Sequence, residues 1–221
     1  MNILKLSRNV ALTLGVVFGA LSSAQAVPIL SFGQVGQLNT ISGTRVGGNT
    51  SLNATNAVIT VTQIAAANVT PFNAFLTFDF DSTNVATQVG PVVSQNFSGD
   101  FCITSLANCA GINYLSGDLI DIAFGANAAF NLSASTPPAG DVLFTSGVIA
   151  MTDLELDRGA SLSFANVTPL LSVVNGSIDS FTSSISGTFS ANIGVVPEPE
   201  TFALLMLGLL AVGLAKRRRN A

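Results

Sequence analysis

Between residues 27 and 195 apolar and polar positions alternate in short runs, and no long stretch repeats with the 3.6-residue period of a helix. In Ala57–Ile64 and Ala74–Phe80 the apolar side chains fall on every second position, so that Phe78 and Phe80 face one way and Thr77 and Asp79 the other. Successive side chains of a strand point to opposite faces, and the pattern therefore predicts half-buried strands. Asp118–Phe124, Ala129–Ala134, Val142–Phe144, Gly147–Leu156, Ser161–Ala165, Leu170–Val174 and Ser177–Ile193 continue it. Turn signals stand between the runs: Gly47-Gly48-Asn49, Pro71, Gly90-Pro91, Ser98-Gly99-Asp100, Pro137-Pro138, Arg158-Gly159 and Asn175-Gly176. The last is an Asn-Gly pair between apolar runs, the strongest short-range hairpin signal. Many short strands with recurrent turns predict an all-β fold, an antiparallel β-sandwich of jelly-roll or immunoglobulin-like type. No fixed-period repeat suggests a solenoid or propeller.

Both ends break the pattern. Lys5 and Arg8 precede an apolar run, Val10–Ala20, and the small-x-small triplet Ala24-Gln25-Ala26 follows. That is the layout of a signal peptide, residues 1–26, with cleavage expected before Val27 by signal peptidase; an uncleaved N-terminal anchor is the alternative. At the other end, residues 196–221 hold Pro197-Glu198-Pro199, an apolar run Phe202–Ala215, and Lys216-Arg217-Arg218-Arg219. The prolines fix φ and lack an N–H, which keeps the first piece extended. As a helix, residues 202–215 would reach about 21 Å, short of the roughly 30 Å hydrocarbon core. The four cations form a basic stop that orients such a transmembrane helix with the C-terminus in the cytoplasm. A permanent single-span anchor would share this layout.

In this order the three pieces resemble the sorting tail of PEP-CTERM proteins, exported bacterial proteins handled by exosortase-type membrane enzymes. The resemblance is confined to the tail. It implies export across the inner membrane, transient membrane anchoring, cutting near Pro197–Pro199, and delivery to the cell surface or an exopolysaccharide-rich extracellular matrix. The organisation expected is thus signal peptide 1–26, exported β domain 27–195 and sorting tail 196–221.

Removing both ends changes the charge. Residues 27–195 keep two cations, Arg45 and Arg158, against ten acids, a net charge of −8 with no lysine and no histidine. A field of that sign repels phosphate backbones and excludes nucleic acid as a partner. Cys102 and Cys109 are the only cysteines; in an exported chain they are expected to form a disulfide across a short loop.

Chemistry is sparsely supplied. Without histidine no Ser-His-Asp triad or histidine-based metal centre can form, and no cofactor or catalytic residue is expected. Asp79, Asp81 and Asn84 are alternate oxygen donors near a strand end and form a weak calcium candidate, lacking the glycine and distal glutamate of an EF-hand loop. Asp118 with Asp121, and Asp153 with Glu155 and Asp157, are carboxylate groupings of the kind glycoside hydrolysis uses. The domain has one tyrosine and no tryptophan to stack on a sugar. The leading expectation is a non-enzymatic surface or matrix protein, with extracellular polysaccharide as a partner. A calcium- or carbohydrate-binding adhesion module is second, and a carboxylate-dependent glycoside hydrolase third.

Overall fold

Thirteen strands run through the described residues of the computed structural model, which are 26–36, 41–65, 67–135, 141–154 and 157–191. In chain order they are β1 (Val27–Gln34), β2 (Ile41–Val46), β3 (Asn49–Ile64), β4 (Ala67–Ser82), β5 (Thr87–Val89), β6 (Val92–Leu106) and β7 (Ala110–Ala126). β8 (Ala129–Ser135), β9 (Asp141–Thr145), β10 (Gly159–Thr168), β11 (Val173–Val174), β12 (Ser177–Ile178) and β13 (Phe181–Ala191) follow. One 3-10 turn, Met151–Asp153, lies between β9 and β10.

All pairings are antiparallel, which bears out the all-β expectation and is consistent with a sandwich. The hydrogen bonding does not stop at two separate sheets. It runs β6-β4-β3-β1-β13-β10-β8-β7 and returns through β7 to β6, so the walls join. β2 fills the seam between β3 and β13 beyond the end of β1. Closure removes most strand edges, the usual site of unwanted pairing.

The interior is solid. Phe78 stacks on Phe80 with centroids 4.8 Å apart, and Phe101 on β6 stacks on Phe189 of β13 at 4.7 Å. Phe130 tilts against Phe164 at 5.5 Å, and Phe144 stands edge-on to Phe189 at 5.6 Å. β6 and β13 are not neighbours in the ring, so these rings meet across the interior and fill it. Offset-stacked and edge-on geometries are the ones the ring quadrupole favours. Gly43 lies opposite Phe181, and a Cβ there would collide with its ring. One end of the body is closed by the β11–β12 hairpin, whose Ile178 is fully buried. Its carbonyl accepts the Thr50 hydroxyl at 2.7 Å, and its N–H donates to Gln95 Oε1 at 3.3 Å.

Several local expectations need correction. The described part of Gly147–Leu156, residues 147–154, is bend and 3-10 turn rather than strand, so Asp153 does not lie on a strand; Glu155 lies outside the described residues. Pro71 lies inside β4 at a register shift, where the pairing with β3 needs no proline N–H. Ser98-Gly99-Asp100 is the middle of β6 rather than a turn; a Cβ at Gly99 would collide with the Asp79 carbonyl, which is why glycine stands there. β1, β2 and β5 were not expected. The Asn175-Gly176 hairpin does form, with φ of 51° and 76° as a two-residue hairpin loop demands. Pro137-Pro138, residues 1–25 of the expected signal peptide 1–26, and residues 192–221, which include the expected tail 196–221, lie outside the described residues.

Candidate functional site

Charge is unevenly distributed over the surface. β1, β3, β8, β10 and β13, adjacent around one side of the ring, contain no ionisable side chain. Their outward positions carry hydroxyls and amides in register. One row reads Ser133, Ser161, Thr188, Ser31, Gln63 across five strands, and the next Asn131, Ser163, Ser186, Gly33, Thr60. Neighbours in these rows bond to one another: Ser163 Oγ donates to Asn131 Oδ1 at 2.7 Å, and Ser31 Oγ to Gln63 Oε1 at 3.3 Å.

Two shallow depressions lie on this wall. One of about 290 Å³ is lined by Ser31, Thr62, Ser161 and Thr188 among others, and one of about 170 Å³ by Gln34, Asn166 and Ser184 among others. Both include Ser163 and Ser186, so the two depressions adjoin along the β10–β13 groove. Sequence reasoning missed this wall because it followed the apolar half of the alternation. The signal was present in the polar half, Ser-x-Ser at 161–163 and 184–186.

The acids that lie on strands are on the other side, on β4, β6, β7 and β9. Asp79 on β4 lies directly opposite Asp100 on β6, and Asp100 opposite Asp118 on β7. Asp79 accepts from Asn53 Nδ2 at 2.7 Å, and Asp81 from Ser51 Oγ. Asn84 is directed elsewhere, its Oδ1 accepting the Asn96 N–H at 2.7 Å. Asp79 and Asp81 are thus engaged with β3 while Asn84 holds the loop to β6, and the three calcium candidates do not converge. Among the described residues no group of three or more acids or cysteines is arranged to hold a metal ion.

Arg45 Nε bonds Asp179 Oδ1 at 3.1 Å. That hydrogen bond, with the Ser180 backbone N–H, holds the Asp179 carboxyl below its ordinary pKa.

The expected disulfide between Cys102 and Cys109 is present, with Cα atoms 5.8 Å apart. Its loop does not protrude. Asn56 sits at a bulge of β3 with φ of 55°; its Nδ2 donates to Asn108 Oδ1 at 2.9 Å, and its Oδ1 accepts the Asn108 N–H at 2.6 Å. This clamp folds the β6–β7 turn onto the outer face of β3 and β4, which leaves Cys102 only 7% exposed although it points outward.

At the ends of the body, exposed Ala26 precedes β1, and Val27 pairs with Ala191. Ala24, Pro197, Glu198, Pro199 and Lys216–Arg219 lie outside the described residues, as does the expected transmembrane segment 202–215. Among the described residues no helix is long and apolar enough to cross a membrane.

Residues 195–219 match the family model described as the PEP-CTERM protein-sorting motif. The match falls in the tail alone and covers the sorting prolines and the basic stop. It supports an exported protein whose tail is handled by an exosortase-type membrane enzyme. No curated protein and no solved structure matches the chain.

Proposed function

We propose that the body is a non-catalytic structural protein of the cell surface or extracellular matrix, released from its tail and associated with exopolysaccharide. The uncharged, hydroxyl-lined wall carries this reading. A hydrated polyhydroxylated polymer can exchange hydrogen bonds along it, directly or through water, with no Coulombic cost. On the side of Asp79, Asp100 and Asp118 an acidic polymer would be repelled. The test is retention of the secreted protein in native matrix. Charging the groove with Ser163→Glu and Ser186→Glu should release it, and equal retention of that variant and wild type would sink the reading.

A second reading, a carbohydrate-binding adhesion module, is favoured by the adjacency of the two depressions. It predicts a saturable rise in melting temperature with an isolated oligosaccharide, whereas a structural association through many weak contacts does not. Calcium should leave the melting temperature unchanged on either reading, because Asn84 is directed away from Asp79 and Asp81.

A further inference from the structure

The first and last strands of the described body end side by side. Val27, the first residue of β1, pairs with Ala191, the last of β13. Neither strand can peel back to lengthen the link beyond it without opening the core, since Ile29, Leu30, Phe189 and Ala191 are all fully buried. Six residue steps separate Ala191 from Pro197. Whatever conformation they take, they span at most about 20 Å. An enzyme that binds the sorting motif as an extended peptide uses up part of that reach, so the closed body stands directly beside its cleft.

We propose that the pole of the body where β1 begins and β13 ends is the surface presented to the membrane processing enzyme, and that the tail is cut with this pole held against it. The charge distribution fits such a face. The side chains at the strand ends gathered there (Val27, Pro28, Gly159, Ser190 and Ala191) are uncharged, and the two ions that lead into Gly159, Asp157 and Arg158, are of opposite sign. On β4, Asp79 lies twelve residues from Ala67, which pairs with Ile64 near this pole. That is about 40 Å of extended strand, several times the roughly 8 Å over which an anionic lipid surface acts at physiological salt. Asp79, far along that strand, is thereby kept off the membrane.

The test uses the full-length precursor in cells that carry the processing enzyme, following conversion by pulse-chase and mass, with protease resistance reporting whether the body is folded. Deleting residues 192–194 should slow tail cutting about tenfold or more while the body stays protease-resistant. Inserting a flexible Gly-Ser segment after Gly194 should leave cutting at the wild-type rate or above. Combining the deletion with Phe189→Asp, which opens the core, should restore cutting. A short-link precursor cut as fast as wild type would overturn the proposal. So would one that stays uncut when the body is opened, because residues 192–194 would then be recognised for themselves rather than for their length. A wild-type tail left uncut would remove the sorting route as well, a failure visible before any variant is compared.

Discussion

Removal of both cysteines, by Cys102→Ala with Cys109→Ser, isolates what the bridge contributes. The bridge closes a loop with a sequence separation of 7, for which the loss of chain entropy in the unfolded state amounts to about 2.5 kcal/mol. The folded loop has its own supports: the Asn56–Asn108 clamp, Ser105 Oγ accepting the Ile112 N–H at 2.8 Å, and Thr104 Oγ1 donating to the Leu106 carbonyl at 2.8 Å. The native conformation should therefore survive, and the loss should come almost wholly from the unfolded chain. For a body of this size each kcal/mol moves the melting temperature by about 2–4 °C, so calorimetry should show a fall of roughly 5–10 °C. The clamp acts on the folded side. Asn56→Gly, which keeps the positive φ and removes the side chain, should cost about 1–2 kcal/mol in either background. The two changes should add within about 0.5 kcal/mol. A cysteine-free protein melting within a degree of wild type, or a strongly non-additive pair, would show that bridge and clamp hold the loop in the same way and would refute the division.

Three further outcomes follow from the same structure. Gln95→Ala strands the buried Ile178 N–H and leaves space beneath the β11–β12 hairpin, which should cost about 2–3 kcal/mol in urea denaturation. Asp100→Asn relieves the like-charge pairs with Asp79 and Asp118 and should stabilise by about 0.2–1 kcal/mol at low salt, with the gain shrinking in high salt. The Arg45–Asp179 contact should be pH-dependent. Because the folded carboxyl titrates below its ordinary value, its contribution is complete at neutral pH and disappears as pH falls through that depressed pKa. The melting difference between wild type and Arg45→Gln should be present at pH 7 and vanish at the acid limit; a difference that grew in acid would contradict the assignment.

The strands most visible in the sequence were those whose alternation is unbroken. Residues 74–80 read clearly, because Ala74, Leu76, Phe78 and Phe80 hold one phase. The first half of β3 was hidden. Leu52 and Ala54 face inward, but the bulge at Asn56 puts the next inward residue at Ala57, three positions on. β10 breaks phase in the same way at Asn166, φ 55°, between Phe164 and Val167. An asparagine in the left-handed region is the local device that permits each extra residue. Closure could not be read at all, since it depends on β6 finding partners on both edges, which is a matter of pairing rather than pattern. As for the site, the tail and the cysteines were legible from local motifs. The hydroxyl wall emerged only when register aligned residues from five strands.

The pairing of Val27 with Ala191 also bears on when the body can form. Its first strand lies between β3 and β13, so β13, the last strand of the body to be synthesised, must arrive before the ring can shut. Contacts so distant along the chain carry a large closure entropy and slow the search for the native state. A body that cannot finish folding until its last strand emerges stays threadable through a narrow export channel. The same delay leaves uncharged, strand-prone segments that emerge early, such as residues 27–34, exposed for longest, and these are the segments whose premature association the cell has most reason to prevent.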